Sequence, residues 1–381
     1  MCIVFFTSSE RYSLIVASNR DEFLARPTAP AAWHDWTLSP SNHTPERTER
    51  NTVLSGQDLE AGGTWFGISV PSETTTRTSD GTPRRGVMRF ATLTNFTETI
   101  PPAARPSRGK LVRDFLDFDR LPLDESLETY LAQVEVEKHL YAGFNLLLGQ
   151  LNLLPSSSDD ESAASTPPEM QLAYISNRES NPAKHARVLP SLDVDVEGKG
   201  QGKVRGLSNA TLEVEEGEEQ WPKVKTGAKA VEEAVEAVAT SSVPAGPEYE
   251  EQLARNLYNA LSTAHPAPIL HRTHLRHTVL VRPLLLDPKA PLPPSVPPLP
   301  PPSNPLPSSS SPPPDSLPPS VTAGPQEGED GARWYATRVQ TLLMVERATG
   351  RVTLREREGY ALNEEGRPTW SGKERVFRLQ V

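Results

Sequence analysis

Cys2 is the single cysteine in a chain of 381 residues. Its position gives it chemical interest. A small residue after the initiator methionine permits removal of Met1, which would leave a thiol and a free α-amine on one residue. Reference pKa values near 7.7–8.0 for the amine and about 8.5 for the thiol suit proton transfer at neutral pH. The amine then acts as general base for its own side chain, directly or through a water. This is the N-terminal nucleophile arrangement. The competing reading is an inert, half-buried small hydrophobe.

The next candidates lie in the stretch VASNRDEFLARP, residues 16 to 27, where an apolar strand turns polar at Asn19, Arg20, Asp21 and Glu22. The segments CIVFF and YSLIVAS read as a hairpin joined by the turn TSSER. Two registers are open. Pairing Ser8 with Tyr12 sets Cys2 opposite Ser18, with Arg20 two residues further on the same face. Pairing Thr7 with Tyr12 sets Cys2 opposite Ala17, with Asn19 and Asp21 on its face. Two residues of strand span about 6.6 Å, within reach of an arginine. Arg20 would favour thiolate, and Asp21 would hold the α-ammonium or orient the amine. Glu22 is either a turn carboxylate in solvent or a partner for Arg26.

Acyl transfer also needs oxyanion donors. Asn95 ends the strand-like TLTN and Asn209 sits in GLSN. Asparagine at a strand end is equally an ordinary turn residue. Arg338, in the apolar run YATRVQT, is either a solvent-facing strand residue or a pocket cation.

The elements that must position these residues follow from periodicity. Strands are expected at MRFATLTNF, YAGFNLLLGQLN, QLAYISNR, HTVLVRPLLL, the hairpin after Trp334 and the final ERVFRLQV. A helix is expected over 107–118, with Ser107 as N-cap and Leu111, Val112, Phe115 and Leu116 on one face. A second follows over 123–138, and KTGAKAVEEAVEAVAT and PEYEEQLARNLYNALS form a later pair. Residues 27–52 read as a surface loop. Early, middle and late strands with paired helices suit an α+β protein, antiparallel sheets carrying helices on their outer faces. The chain reads as one domain over 1–381. The polar segment 155–168 and the Pro-rich tract 286–331 are expected as disordered insertions.

The net charge of −10 argues against non-specific binding to nucleic acid or to anionic membrane. No apolar run reaches the ~18 residues of a membrane span, and one cysteine precludes an intrachain disulfide. The cytoplasm is the default compartment. The evenly spaced His271, His274 and His277 fit neither one strand face nor a metalloprotease helix.

The ordered set MCIVFF, SNRDEF, LSGQDLEAGGTWFGIS, FATLTNF, SRGKLVRDFL, YAGFNLLLG, GLSNATL followed by WPKV, and TRVQT resembles the NRDE family of transport-and-Golgi-organisation 2 proteins. The resemblance covers Met1 to Gly149, resumes at about Ile175 to Lys223 and returns after Trp334. Ala336 stands where the family usually has glycine. The resemblance implies a four-layer αββα fold similar to N-terminal nucleophile hydrolases. It implies Cys2 as the nucleophile position, Arg20 and Asp21 beside it, Asn95 and Asn209 near oxyanion positions and Arg338 as a second site arginine. It further implies roles in Golgi organisation and secretion, handling of haem, lipid or acyl-CoA as carried ligand, and association with Golgi or mitochondria.

Three functions therefore compete: an N-terminal cysteine amidohydrolase on a non-peptide amide or acyl substrate, a carrier using the same cleft, and a secretory-pathway interaction protein. For the last, a polyproline segment in the Pro-rich tract would attract an SH3- or WW-type partner. A solvated loop is the alternative reading of that tract.

Overall fold

The segment Ile3–Thr7 is apolar at every position but the last and is buried on both faces, as its continuous apolar run predicts. It forms β1. The structure is a computed structural model that describes the chain except residues 1, 35, 37–51, 72–86, 97–104, 123–124, 153–168, 182–183, 193–202, 214–218, 289–298, 300–332 and 381. The 155–168 segment and nearly all of the Pro-rich tract thus lie outside the described residues.

β1 pairs antiparallel with β2 (Tyr12–Phe23). The second sheet begins with β3 (Thr28–His34), β4 (Val53–Asp58), β5 (Phe66–Ser69) and β6 (Val87–Asn95). It continues through β7 (Phe144–Asn152), β8 (Glu169–Ser176) and β9 (Ala186–Val188), each strand antiparallel to the one before. The first sheet is completed by β10 (Arg205–Leu207), β11 (Leu284–Leu286), β12 (Arg333–Glu346), β13 (Arg351–Glu358) and β16 (Glu374–Gln380). Its order is β10-β1-β2-β12-β13-β16, with β11 also on β12. A hairpin of β14 (Tyr360–Leu362) and β15 (Pro368–Trp370) is separate. The architecture is α+β with antiparallel sheets.

Alternation along the strands sorts most buried apolar side chains of the described residues into three large cores, with two small clusters beside them. Val4, Phe6, Leu14, Val16 and Leu343 meet Leu54, Phe66, Ile68, Phe90 and Leu147 between the sheets. The opposite face of the first sheet, Ile3, Phe5, Ile15, Ala17 and Met344, packs under α3 (Pro222–Ala239) and α4 (Pro247–Leu261). Both helices open on proline in the first turn, where its missing N–H costs no helical bond. The outer face of the second sheet, Ala91, Leu93, Phe144, Leu146 and Leu148, packs under α1 (Gly109–Leu116) and α2 (Leu127–Glu137).

Four local expectations are corrected. The hairpin pairs Ile3 with Asn19, two residues away from the register that sets Cys2 opposite Ser18; the face assignment of Arg20 in that register holds. β3 lies within the segment read as a loop. Its exposed Pro30 sits where the β3–β4 register slips, the bulge setting in which a strand tolerates proline. Of HTVLVRPLLL only Leu284–Leu286 is strand, because Pro283 has no N–H for a ladder. Ser107 does not cap α1 with its side chain; its carbonyl accepts the Lys110 N–H instead.

Candidate functional site

Beyond Val16 the inter-sheet face of β2 continues as Ser18, Arg20 and Glu22. Extending the β1–β2 pairing by one residue sets Cys2 beside Arg20. Extending the β1–β10 pairing of Val4 with Leu207 by two residues sets Asn209 on the other side of Cys2. Cys2, Arg20, Glu22 and Asn95 line a cleft of about 580 Å³ at this end of the sheet sandwich. Its far wall comes from the GGTW turn and the start of α1. These two walls touch backbone to backbone: a Cβ on Gly63 would lie 2.5 Å from the Gly109 carbonyl carbon, so both positions need glycine.

The cleft is basic within an acidic chain. Arg20, Arg26, Arg105 and Arg108 line it against Glu22 and Asp58. Three of these arginines have protein partners. Arg26 donates to Asp58 at 2.8 Å, Arg105 to the Tyr141 carbonyl at 2.7 Å and Arg108 to the Gly143 carbonyl at 3.0 Å. Arg20 differs. It is 5% exposed and its Cζ lies 4.0 Å from the Trp65 ring centroid. Its Nη2 stands 3.9 Å from Glu22, and its Nη1 has no hydrogen-bond partner among the described residues.

The GLSN turn is held from both sheets. Ser208 Oγ donates to the Cys2 carbonyl at 2.8 Å, and its own carbonyl accepts from Thr94 Oγ1 and from Asn145 Nδ2 at 3.0 Å. Tyr174 OH donates to Asn145 Oδ1 at 2.9 Å and accepts the Leu212 N–H at 3.1 Å. Asn209 is buried, and its amide donates to the Asn95 carbonyl. In this arrangement its Nδ2 is already engaged.

Asp21 points the other way. It shares the helix-side face of β2 with Asn19, and it accepts from Thr337 Oγ1 at 2.6 Å. Asn19 donates to the Leu261 and Val279 carbonyls, which anchors the end of α4. Arg338 occupies the bulge between Thr337 and Val339 in the β2–β12 ladder. It donates to the Arg26 carbonyl and lines a smaller cavity with Glu356, Glu358 and Arg375 rather than the Cys2 cleft. Burial and the nearby Arg20 push its pKa down to about 10.

Burial pushes the Cys2 thiol up, with Arg20 and Asp21 acting in opposite directions on it. A thiol so placed is protonated at neutral pH and needs a base to become a nucleophile. Sequence reading alone did not single out Trp65, Arg105, Arg108, Asn145, Tyr174 or Lys223. The pair of arginines in RPSRGK just before a helix was the available signal for Arg105 and Arg108. Among the described residues no cluster of His, Cys, Asp and Glu suits a metal ion, and no helix is long and apolar enough to cross a membrane.

The family model for transport and Golgi organisation 2 matches residues 1–361. The chain is 37% identical over 161 residues to the transport and Golgi organization protein 2 homologs of Bos taurus and Homo sapiens. That stretch covers 40% of this chain and 46% of each relative. It is 27% identical over 179 residues to transport and Golgi organization protein 2 of Drosophila melanogaster, covering 45% of this chain and 53% of that protein. The chain spans about half the length of the curated relatives it matches.

Proposed function

The chain belongs to the transport and Golgi organisation 2 family, and from that premise we propose that it binds an anion-bearing acyl metabolite in the Cys2 cleft. It does so as part of the transport and Golgi-organising role that its relatives' names describe. The observation that carries this reading is Arg20, a buried guanidinium stacked on Trp65 with one terminal nitrogen unpartnered among the described residues, on the wall of the cleft. A buried donor without a partner is costly, and a carboxylate or phosphate in the cleft relieves that cost.

The layer order of helix pair, sheet, sheet, helix pair supports an N-terminal nucleophile hydrolase-like scaffold. Acyl-CoA, with its phosphates, and a fatty acid, with its carboxylate, suit a basic cleft. Haem also carries carboxylates, but no histidine lines the cleft among the described residues, so the lining favours acyl anions as cargo. Titration of the full chain with palmitoyl-CoA, palmitate and haem tests this. Palmitoyl-CoA binding is expected to survive Cys2→Ala within about threefold and to weaken at least tenfold in Arg20→Met, the loss of one charge-assisted contact. Equal binding by Arg20→Met contradicts the reading.

A second reading, an N-terminal cysteine amidohydrolase, is favoured by the placement of Cys2 between Arg20 and Asn209. It requires loss of Met1, so that the α-amine of Cys2 takes the thiol proton. Intact mass before and after a thiol-acylating probe decides it. A processed N-terminus, an acyl adduct and turnover abolished by Cys2→Ala are its expected outcomes; a retained Met1 without adduct removes it.

A further inference from the structure

The far wall of the Cys2 cleft has a cationic end of its own. Residues 105–109 run along it and lead into α1. Arg105 is exposed, while Ser107, Arg108 and Gly109 are half-buried. Both guanidinium groups are fixed by the chain that enters β7, Arg105 on the Tyr141 carbonyl and Arg108 on the Gly143 carbonyl. α1 itself opens on Gly109, which also lines the cleft. No side chain caps this helix end, and its first turn holds no acidic residue. The positive end of the helix dipole therefore meets the cleft without a carboxylate in that turn to offset it.

The two carboxylates that line the cleft among the described residues are engaged elsewhere. Asp58 accepts from Arg26 at 2.8 Å and from the Glu60 and Ala61 N–H groups at 3.1 Å. Glu22 accepts the Phe23 N–H at 2.9 Å and stands by Arg20. On the near wall of the same cleft Arg20 is buried, with Nη1 unpartnered among the described residues. One volume of about 580 Å³ thus joins two cationic positions, one at Arg20 and one at the start of α1. A single carboxylate satisfies only one of them. The apolar lining, Ala61, Leu93, Pro106 and Ala142 beside a Trp65 ring that Arg20 covers, offers little area to a long acyl chain. Charged groups of the ligand therefore decide what the cleft selects.

We propose that residues 105–109 form a phosphate position of the cleft, so that its ligand is a phosphorylated acyl carrier, a coenzyme A thioester, and not a free fatty acid. The phosphate lies at the positive end of α1 and accepts from the Arg105 guanidinium, while a second polar oxygen of the same ligand meets Arg20 Nη1. The inference rests on reading the cleft as an anion site and narrows the class of anion that it takes.

Palmitoyl-CoA and palmitate, titrated into the full chain and its variants, test this. Palmitate is expected to bind the unaltered chain at least about tenfold more weakly than palmitoyl-CoA, because it has one anionic group for two positions. Ser107→Glu sets a carboxylate at the start of α1, where it favours the helix and repels a phosphate. Its melting temperature is expected to equal or exceed that of the unaltered chain, while palmitoyl-CoA affinity falls at least about tenfold. A purely structural role would not move these two readouts in opposite directions. Arg105→Gln, which keeps an amide donor for the Tyr141 carbonyl, is expected to weaken palmitoyl-CoA about fivefold, and Arg105→Lys, which keeps the charge, to stay within about twofold. Palmitate is expected to change by less than about twofold in all three variants. Palmitoyl-CoA affinity within about twofold of the unaltered chain in both Ser107→Glu and Arg105→Gln overturns the proposal. So does palmitate binding as tight as that of palmitoyl-CoA, or equal weakening of both ligands. A loss in Arg20→Met without a loss in Ser107→Glu removes this inference and leaves the anion reading of the cleft. A loss in Ser107→Glu without one in Arg20→Met removes the role of Arg20 and leaves the phosphate position.

Discussion

Arg89 and Arg20 are buried arginines, one in each sheet, and they are held in opposite ways. Arg89 lies in β6 on the helix side, with Nη1 donating to the Leu121 carbonyl at 2.6 Å and Nη2 to the Pro122 carbonyl at 2.8 Å. Its Cζ sits 4.8 Å from the Phe118 ring centroid. Burial lowers its pKa to about 10. Its terminal donors close the carbonyls of the chain that leaves α1. Arg20 lies on the inter-sheet side at the cleft, over the Trp65 ring, with a terminal donor that closes nothing among the described residues. The first arginine is tied into the fold; the second, on the proposed reading, is kept for a ligand. Both terminal nitrogens of Arg89 are met within the protein although its Nε is not, whereas Arg20 has a terminal nitrogen open at a cleft wall, the kind of unsatisfied buried donor that calls for an explanation.

This contrast is sharpest in stability. Arg89→Met takes its donor from the buried Leu121 carbonyl and one of two donors from the Pro122 carbonyl, which keeps the Glu125 N–H, and is expected to cost about 3 kcal/mol, measured by urea unfolding. A cost below about 1 kcal/mol would break the comparison at its structural end. Next is Gly63→Ala. The added Cβ meets the Gly109 carbonyl carbon at 2.5 Å, so the GGTW turn must move off α1. A cost of about 2 kcal/mol is expected, together with weakened ligand binding, because this contact forms the far wall of the cleft.

Glu356 is the acidic counterpart of these cations. It accepts the Ala31 N–H at 2.7 Å, which ties β13 to β3, and faces Arg375 at 3.7 Å. Burial raises its pKa to about 7 from an ordinary 4.5. The folded state therefore binds a proton that the unfolded state releases, and the group's contribution is present at acid pH and lost as pH rises through about 7. Glu356→Gln keeps an acceptor for Ala31 and removes the titration. It is expected to flatten the fall in stability between pH 4.5 and 7 by about 1–2 kcal/mol, read from unfolding midpoints across pH. A parallel pH profile in the variant would contradict it. The smallest stability effect is expected for Arg20→Met, within about 1 kcal/mol of the unaltered chain, because an unsatisfied buried cation is exchanged for an apolar side chain.

Much of the strand content was legible from apolar alternation in β6 and from the continuous apolar run of β7. The hairpin register was not, because β1 and the first half of β2 are buried on both faces. With both faces apolar, alternation gives no preference between registers. The identity of the polar run was legible, but its division was not. Arg20 turns to the cleft while Asn19 and Asp21 turn to the helices, a consequence of strand period two. Lys223 reads in sequence as one more lysine at a helix start. Only the packing of Pro222–Ala239 on the first sheet takes it inside. Arg338 was left between solvent and pocket in the sequence. A bulge in β12 turns it into a second, smaller cavity.

The central claim is that the cleft at Cys2 and Arg20 is built for an anionic ligand and not for the fold. Thermal unfolding with and without palmitoyl-CoA, on the unaltered chain and on Arg20→Met, tests it most directly. Ligand at about 100 times its dissociation constant stabilises a folded protein by about 2.7 kcal/mol. The account predicts a shift of that order in the unaltered chain and little or none at the same concentration in an Arg20→Met chain of unchanged intrinsic stability. Equal shifts in both chains, or an Arg20→Met chain destabilised as much as Arg89→Met, would contradict it.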